Sequence, residues 1–413
     1  MESHYSKVSL HPDTIKHLKK GSPWVTPDTI SNKFPKKPPF LIGAGSRGEE
    51  LFLLINDPEN NHVKARLWST KFPFIQQITH FDRELTPRLE RSIEKRFQMK
   101  LEHDRDNYYL AFGEADHLPG LFILKLNNHV IIQSYCSFWK SQADTLRASL
   151  LNSMKEYFSD AAKFYYWFQE RNDPEQVIFE PFTDRTAKLE IPLELTIHEF
   201  GINYQIHLGR HYDMGLFTDM ASFRRRLISL FKKSETVLNL FSYTGAFSLL
   251  PLFHGAKEVI SVDLSEKYLA WLDENLAINP KLPHHHHHPL PMAVEKALDL
   301  LSKKKKQFDM IICDPPSFAS DGRRGISALT SYKKLLPAIL NLLHPHSGYA
   351  FITLNTHHVS WDLFEKKIKE IIHHGTFNGR VEIKRLSMIE DCPVIAPFKE
   401  GNYIKGLLLK LKV

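Results

Sequence analysis

A chain of 413 residues is too long for one typical domain, and its length predicts two or three. Its 42% hydrophobic and 24% charged residues are ordinary for a soluble globular protein. Because no apolar run reaches transmembrane length, a membrane protein is not expected. The net charge of +7 weakly favours a polyanionic partner, although an ordinary basic protein would have the same charge.

Neither end of the chain nor its cysteines indicate export. The first residues, MESHYSKVSLHPD, contain no apolar signal core. The three cysteines, Cys136, Cys313 and Cys392, are far apart and have no zinc-ligand spacing. We therefore expect a protein of the reducing cytoplasm. A homodimer is compatible with the sequence, which does not settle the oligomeric state.

Residues 1–78 read as a small β-rich domain, with strand-like runs such as FLIGAG, ELFLLIND and VKARLWS. The segment GAGSRG at 43–48 spells the glycine pattern of dinucleotide-binding loops. That motif requires a following helix, whereas here a strand-like run follows. We predict a hairpin turn at this position.

Residues 79–190 mix helix and strand and form a predicted α/β middle domain. The run ELTPRLERSIEKRFQMKLEH predicts an amphipathic helix. Its basic side chains are expected to face solvent: Arg83, Arg88, Arg91, Lys95 and Arg96. The run LFILKLNNHVIIQSY predicts a hairpin that turns at Asn127-Asn128.

Residues 191–413 predict a parallel sheet covered on both faces. Strand-like runs (TVLNLF, EVISVDL, FDMIICD and YAFITL) alternate with helical runs (AFSLLPLFHGA, SEKYLAWLDENLAINP and SYKKLLPAILNLLHP). Between two of these elements lies the run His284 to His288, set between prolines. Such a run could hold a metal, but its place in a connection favours an exposed loop.

The segment VLNLFSYTGAFSLLPLFHGAKEVISVDLS, 237–265, is the predicted cofactor site. A strand ends at Phe241, a tight turn with Gly245 follows, and the next strand ends at Asp263. An acid at that place can accept hydrogen bonds from a ribose. Because no second and third glycines are present to hold a pyrophosphate, S-adenosylmethionine fits better than NAD. An ordinary βαβ unit whose acid caps a helix remains an alternative.

The segment FDMIICDPPSFAS, 308–320, ends a buried strand at Asp314 because neither Pro315 nor Pro316 can donate a ladder hydrogen bond. The prolines fix the direction of the carbonyls that follow. The segment therefore predicts a rigid group of acceptors at the carboxyl end of a strand, where open α/β sheets bind ligands.

Together these segments resemble bacterial 23S ribosomal RNA methyltransferases, and in particular the 5-methylcytosine enzymes and their relatives. NLFSYTGAFS, SVDLS, FDMIICDPPSF and CPVIAPFKEGNYIKGLLLKL carry the likeness in the last part of the chain. HLKKGSPWV and VKARLWS look like that family's N-terminal PUA domain, a β-barrel that binds RNA. GEADHLPGL looks like the start of its middle domain, and ELTIHEFGINYQIHL with GRHYDMGLFTDM resembles a hairpin and the strand that enters the catalytic domain.

The resemblance implies a Rossmann-like class I methyltransferase domain that uses S-adenosylmethionine. It follows a PUA-like barrel and a mixed α/β domain, so the fold class is α/β. By this match five residues line the cofactor loop: Asn239, Phe241, Tyr243, Thr244 and Gly245. Asp263 takes the ribose, and Asp314 closes the site.

The sequence departs from the family at its nucleophile. The 5-methylcytosine enzymes use a cysteine after the strand that follows DPP, and here that position is Asn355. Because an amide cannot add covalently to a base, we expect N-methylation rather than C5-methylation. Cys313 is expected to pack as a small apolar group, and a catalytic role of Cys392 is not expected.

A second departure concerns the adenine. Relatives place an aspartate after the third strand, whereas here Glu295 and Lys296 lie near that position. Glu295 could substitute with a shift of one residue, but Lys296 cannot accept a hydrogen bond. Ala246 replaces a second glycine of relatives and is small enough to be tolerated.

The segment that starts at Asp314 is suited to bind a base whose planar nitrogen is the nucleophile. The carboxylate and the following carbonyls could accept from a base N–H, Asn355 could bind the base, and Phe318 could stack on it. Phe318 could equally pack beneath a loop. Four cations in and after this loop would meet phosphates if RNA binds, and otherwise form a solvated surface: Arg323, Arg324, Lys333 and Lys334.

The sequence therefore predicts an enzyme that methylates an RNA base, with 23S rRNA as the expected substrate. Two alternatives stay open. A non-catalytic RNA-binding or assembly protein on a methyltransferase scaffold is one, if Lys296 abolishes cofactor binding. A nucleotide-linked oxidoreductase is the other, and the lack of a phosphate loop disfavours it.

Overall fold

The computed structural model describes residues 4–27, 35–171, 178–210, 213–316 and 326–412. The chain divides into two compact units. The first comprises residues 1–194, 207–214 and 390–398, and the second comprises residues 195–206, 215–389 and 399–413.

The first unit contains two five-stranded sheets and the helices that cover them. Its elements in chain order are β1 (Tyr5–Ser9), α1 (Pro12–Lys19), β2 (Trp24–Val25), β3 (Phe40–Ala44), β4 (Glu50–Asn56), β5 (Ala65–Ser69), α2 (Phe74–Thr79), α3 (Phe81–Gln98), β6 (Asn107–Phe112), β7 (Leu121–Leu126), β8 (His129–Ser134), α4 (Phe138–Ser141), α5 (Ala143–Tyr157), β9 (Tyr165–Glu170) and β10 (Ile178–Pro181). A two-stranded ribbon follows, formed by β11 (Leu193–Glu199) and β12 (Ile202–Leu208). Residues 195–206 of this ribbon belong to the second unit.

The first sheet has the order β1-β3-β4-β5-β2, and the second has the order β10-β9-β8-β7-β6. GAGSRG connects the antiparallel strands β3 and β4, and the Gly45 amide donates to the Glu49 carbonyl. The predicted hairpin turn is therefore confirmed. The hairpin at Asn127-Asn128 is confirmed as well, between β7 and β8.

One hydrophobic cluster draws on both sheets of the first unit. It includes Phe40 and Ile55 from the first sheet, Ile123 from the second, and Leu89 from α3. The buried apolar residues of α3 (Phe81, Leu85, Leu89 and Ile93) recur every four positions, which places them on one face of that helix.

The prediction that all five basic residues of α3 face solvent is wrong for Arg96. Its side chain is buried and donates to both carboxylate oxygens of Asp116, at 2.8 and 2.6 Å. Arg88 is only half-exposed and lies over the Trp68 ring, 3.5 Å from its centroid. A buried partner carboxylate, which local periodicity does not reveal, decides the position of Arg96.

Asp391, far along the chain, is also buried in the first unit. Its carboxylate accepts from Arg105 at 2.5 Å and from the Tyr109 amide at 2.7 Å, and its carbonyl accepts from Arg96 at 3.0 Å. These bonds anchor the segment 390–398, which includes the buried Cys392.

The second unit contains a seven-stranded sheet with helices on both faces. Its elements are α6 (Ala221–Phe231), β13 (Thr236–Leu240), α7 (Ala246–Phe253), β14 (Glu258–Asp263), α8 (Glu266–Ala277), β15 (His287–Pro291), α9 (Val294–Lys303), β16 (Met310–Cys313), α10 (Ile326–Asn341), β17 (Tyr349–Asn355), α11 (Trp361–His374), β18 (Val381–Ser387) and β19 (Ile404–Leu411).

The strand order in this sheet is β15-β14-β13-β16-β17-β19-β18. The first five strands are parallel, and β19 runs antiparallel to both of its neighbours. The predicted alternation of strands and helices is confirmed. Because each central strand is covered on both faces, these strands are apolar throughout rather than alternating.

Two predictions in this unit are wrong in part. His284–His286 form a short 3-10 turn, but the rest of the histidine run starts β15, where His287 is buried. β15 tolerates its two prolines because it is an edge strand. The segment expected as a strand entering this unit contains no strand at 213–217, and a 3-10 turn, Thr218–Met220, leads into α6.

Within the described ranges, no helix is both long and apolar enough to cross a membrane. The same residues contain no group of three or more His, Cys, Asp or Glu side chains that could hold a metal ion.

We expect Asp391→Ala to destabilise the first unit by roughly 3–5 kcal/mol, because it leaves the Arg105 guanidinium buried without its main partner. Urea denaturation of the full chain measures this cost. Glu370→Ala is the matched control, since it removes a solvent-exposed pair with Lys367 and should change the stability far less than Asp391→Ala does. Equal costs for the two variants would contradict the anchoring role of Asp391.

Candidate active site

The carboxyl ends of four parallel strands meet at one edge of the seven-stranded sheet. The turn Phe241–Gly245 follows β13, Asp263 ends β14, Asp314 follows β16, and Asn355 ends β17. The structure thus brings to one edge residues as far apart in the sequence as Phe241 and Asn355. This is the edge at which open α/β sheets bind ligands.

The turn after β13 has an unusual backbone. Phe241, Tyr243 and Gly245 all have positive φ, at 59°, 50° and 90°. Such angles cost energy in a residue with a Cβ, and they cluster at functional sites. Hydrogen bonds hold the turn: the Ser242 amide donates to the Val262 carbonyl and the Gly245 amide to the Ser242 carbonyl, both at 2.9 Å.

Gly245 is required here for a reason other than close approach to a ligand. A Cβ at this position would lie 2.5 Å from Cγ of Leu272 and 3.0 Å from Cδ1 of Leu249. The missing side chain therefore lets α8 pack against the turn. The positive φ adds a second reason for glycine.

Asn239 and Thr244 support the turn from beneath. Asn239 is buried and donates to Ser248 Oγ at 2.8 Å, in a chain that continues through Ser261 Oγ to His287 Nε2. Burial lowers the pKa of His287 to about 4, so this imidazole is neutral in the folded chain at neutral pH. The Asn239 side-chain amide therefore donates to another protein group and lies beneath the turn. Its side chain was predicted to line the cofactor loop.

The Thr244 side chain points into the protein in the same way. Its hydroxyl donates to the Gly215 carbonyl at 2.5 Å, and its own carbonyl accepts from Asn275 at 2.9 Å. Tyr243 lies on the outer side, with its ring 5.1 Å from that of Phe217 and 4.6 Å from that of Tyr268. Phe217, which is 41% exposed, was not singled out from the sequence.

Asp263 is fixed by two backbone donors. The Tyr243 amide donates to Oδ2 and the Ser265 amide to Oδ1, both at 2.9 Å. Each carboxylate oxygen has a second lone pair, so the group can still accept two hydroxyl hydrogens. This arrangement suits the vicinal hydroxyls of a ribose.

The pKa of the Asp314 carboxyl is raised. Burial raises its pKa to about 6, while the hydrogen bond from Thr353 lowers it, the charge of Asp219 raises it and that of Arg224 lowers it. The Thr353 hydroxyl, on β17, donates to its Oδ1. Pro315 is buried and Pro316 is exposed.

Asn355 is half-exposed at the end of β17, and its side chain forms no hydrogen bond with another described residue. Phe318, Arg323 and Arg324 lie outside the described residues, and so the structure does not address their predicted contacts. Glu295 and Lys296 are exposed in the first turn of α9. The charge of Glu295 acts on Cys313, which ends β16.

The Cys313 thiol next to Asp314 is not a nucleophile in this arrangement. Burial raises the pKa of Cys313 far above its usual value, so the thiol stays protonated. Cys392 is buried within the first unit.

Sequence reasoning missed three polar residues of this edge. Asp219 precedes α6, and its Oδ2 accepts from the Tyr403 hydroxyl at 2.6 Å. Lys405 is buried on β19 and donates to the Thr356 carbonyl at 2.7 Å. Burial lowers the pKa of Lys405 to about 8. For Lys405, the sequence signal that could have been used is a lysine within the otherwise apolar strand IKGLLLKL.

The family model for S-adenosylmethionine-dependent methyltransferases matches residues 169–385. This range covers the turn after β13, Asp263, Asp314 and Asn355. The chain belongs to this methyltransferase family. The expectation of a methyltransferase that uses S-adenosylmethionine is confirmed.

Similar proteins extend over nearly the whole chain. Ribosomal RNA large subunit methyltransferase I of Tolumonas auensis is 28% identical, with 98% of both chains covered. The putative ribosomal RNA large subunit methyltransferase YwbD of Bacillus subtilis is 30% identical, with 79% of this chain and 80% of the relative covered.

Among solved structures, a putative methyltransferase, SMU.776, in complex with SAH superimposes with a TM-score of 0.83. It is 22% identical, and 98% of this chain and 100% of that one are covered. A putative SAM-dependent methyltransferase from Streptococcus mutans gives a TM-score of 0.82 at 21% identity, with the same coverage. These structures share the fold of this methyltransferase.

The residues of the edge fit S-adenosylmethionine. Asp263 offers acceptors for ribose hydroxyls, and the carboxylates of Asp219 and Asp314 suit a ligand with a cationic sulfonium and ammonium group. Ser242 Oγ in the turn is buried and has no hydrogen-bond partner among the described residues. A buried polar atom without a hydrogen-bond partner destabilises the fold unless a ligand or a water molecule forms that hydrogen bond.

We expect Gly245→Ala to weaken binding of S-adenosylmethionine by at least about tenfold, because the new Cβ displaces Leu272 and shifts the turn. Isothermal titration calorimetry measures the affinity. Gly255→Ala is the matched control, since Gly255 has a φ of 96° but open space around its Cβ position. The same loss of affinity in both variants would attribute the effect to backbone strain and contradict the packing argument.

We expect Asp314→Asn to stabilise the folded chain above pH 6. The pKa of this carboxyl is raised from 3.8 to about 6, so its ionisation destabilises the fold as pH rises through that window. The variant should gain on the order of 1–3 kcal/mol at pH 7.5, and the gain should shrink towards pH 4. Thermal unfolding between pH 4 and 7.5 measures it.

Asp299→Asn, at an exposed position of α9, is the control and should give no such trend. If the gain in stability of Asp314→Asn were the same at every pH, the Asp314 carboxyl would not be the titrating group.

Proposed function

We propose that this methyltransferase transfers a methyl group to a nitrogen of a base in RNA, and that its substrate is 23S rRNA of the large ribosomal subunit. The proposal rests on one observation above all: Asp314, which follows β16, is a partly buried carboxylate with a raised pKa, and the Cys313 thiol that precedes it is buried and protonated. The neighbouring strand β17 ends at Asn355. The names of the relatives support the substrate class, because both are large-subunit rRNA methyltransferases or putative ones.

The nitrogen preference follows from the chemistry of the groups present. C5-methylation of cytosine uses a thiolate that adds to the ring, and neither Asn355 nor buried Cys313 can supply one. A carboxylate and an amide, in contrast, can orient an amino or ring N–H group. Asp314, Asn355 and the carbonyls after Pro315 and Pro316 are the groups to which we assign that role.

Bound S-adenosylmethionine supplies an electrophilic methyl group on a good leaving group, so transfer depends mainly on alignment. Asp263 would hold its ribose, the turn Phe241–Gly245 would border it, and Glu295 is the proposed acceptor at its adenine. The base nitrogen forms the new N–C bond with its lone pair, the electrons of the C–S bond stay on sulfur, and the nitrogen's proton passes to Asp314 and then to solvent.

Substrate presentation is assigned to the first unit. We propose that residues 1–78 form a PUA-like RNA-binding domain and that residues 79–190 form a middle domain, ahead of the catalytic part at 191–413. Phe318 is proposed to stack on the target base. If the target lies in a helix, it must be unstacked first, at a cost of a few kcal/mol.

We expect nucleoside mass spectrometry of 23S rRNA to show the loss of one N-methylated nucleoside in cells that lack this gene. Wild-type enzyme should restore it, and Asp314→Ala should not, while RNA binding by that variant stays nearly intact. Cys313→Ser and Cys392→Ser should also restore it, because neither thiol acts on the base.

Three outcomes would overturn parts of the proposal. Loss of 5-methylcytidine, or inactivity of a folded Cys→Ser variant, would contradict nitrogen chemistry. An unchanged 23S rRNA would move the substrate elsewhere, to tRNA, 16S rRNA or protein.

A further inference from the structure

The edge of the seven-stranded sheet opposite the candidate site carries a group of exposed lysines. α6 ends just before β13 and α9 just before β16, so both helix ends lie at the amino ends of two adjacent parallel strands. The lysines at these helix ends are all exposed, and we call this group the basic edge: Lys232, Lys233, Lys303, Lys304 and Lys305.

Hydrogen bonds join the two loops that carry these lysines. Asp309 Oδ2, just before β16, accepts from the amides of Glu235 and Thr236, at 2.9 and 3.0 Å. In the other direction, the Asp309 amide donates to the Thr236 carbonyl at 3.0 Å. The lysines of both helix ends therefore belong to one surface and not to two separate ones.

Acidic side chains of the same loops have other partners. Glu235 pairs with Lys257 at 2.7 Å, and Glu258 pairs with Lys306 at 2.6 Å. Asp309 Oδ2 accepts the hydrogen bonds that join the loops. Within the part of the chain that the structure describes, no lysine of the basic edge forms an ion pair or a side-chain hydrogen bond.

Like charges on one surface repel each other, and this repulsion opposes folding. A lysine at the end of a helix interacts favourably with the helix dipole, but that interaction acts within each helix and does not require both groups to share an edge. Burial and the charge of Lys232 both lower the pKa of the nearby His254 imidazole. A polyanion bound at this surface would offset the repulsion and release counterions.

We propose that the basic edge is a second RNA-binding surface, which binds backbone phosphates of the substrate RNA away from the target nucleotide. Lysine ammonium groups bind phosphates as point charges on flexible stems and do not read the base sequence. The identity of that RNA as 23S rRNA rests on the proposed function, whereas the attraction of this surface for an RNA backbone does not.

The basic edge is remote from the candidate active site. β13, Thr236–Leu240, separates the two edges by roughly 16 Å, at about 3.3 Å per residue. This distance exceeds the Debye length of about 8 Å at physiological salt, so the lysines have little direct effect on the methyl transfer itself. A contact at both edges therefore requires an RNA that extends well beyond the target nucleotide.

The test is the salt dependence of RNA binding by Lys304→Gln/Lys305→Gln, measured by filter binding with 23S and 16S rRNA transcripts. Each lost phosphate contact reduces the slope of log affinity against log salt by about 0.7–0.9. The double variant should therefore reduce the slope by roughly 1.5 and the affinity at physiological salt by about tenfold. Lys232→Gln/Lys233→Gln should have the same effect, because both lysines lie on the same surface.

Two control variants accompany this measurement. Lys304→Arg/Lys305→Arg keeps both charges and should bind RNA as the wild type does. Lys366→Gln/Lys384→Gln removes two exposed charges from the middle of α11 and of β18, and should leave the slope nearly unchanged. In methyl transfer, the Gln variants of the basic edge should raise KM for RNA and leave kcat unchanged.

The outcomes separate this surface from the proposed substrate. If 23S rRNA is not methylated but the slope falls with both transcripts, the substrate assignment fails and the RNA-binding surface stands. An unchanged slope in the folded Gln variants of the basic edge would overturn the inference. The same reduction in Lys366→Gln/Lys384→Gln would also overturn it, because net charge alone would then explain the effect.

Discussion

The parallel pairing of β13, β14, β16 and β17 is the constraint on which the site depends. Because these strands run in one direction, the residues that follow them reach the same edge of the sheet. Chemistry-bearing side chains can then come from segments that are distant in the sequence, while the apolar strands hold them rigidly. The candidate site is formed by the residues at the ends of these strands.

Much of what surrounds this edge supports it rather than binds a ligand. Asn239, Ser248, Ser261 and His287 form a buried chain of hydrogen bonds beneath the turn, and Thr244 ties the turn to Gly215. These bonds compensate the positive φ angles of Phe241 and Tyr243. The backbone strain is thus localised in the turn, and the polar interactions that offset it lie one layer below.

Asp314 shows how the function that we propose and the stability of the fold oppose each other at this edge. Desolvation and the charge of Asp219 both raise the pKa of this partly exposed carboxylate, so its ionised form is unfavourable for the fold and a neutral residue would be more stable there. Such an arrangement is expected where a group must accept protons from a substrate. The Thr353 hydroxyl and the link from Asp219 to Tyr403 keep the unfavourable charges in defined positions.

The sequence by itself determined the elements and most of the edge. Periodicity and turn residues identified the α/β alternation, the two hairpins, the end of β16 at Asp314 and the turn at Gly245, because these follow from local backbone preferences. Tertiary structure decided the rest. Arg96, whose sequence context predicted exposure, is buried because Asp116 pairs with it, and the histidine run enters an edge strand because Ser261 accommodates His287. Tyr403 and Lys405 reach this edge only because β19 pairs with β17, a pairing of distant segments that no local pattern encodes. Asp219 is linked to them through the Tyr403 hydroxyl.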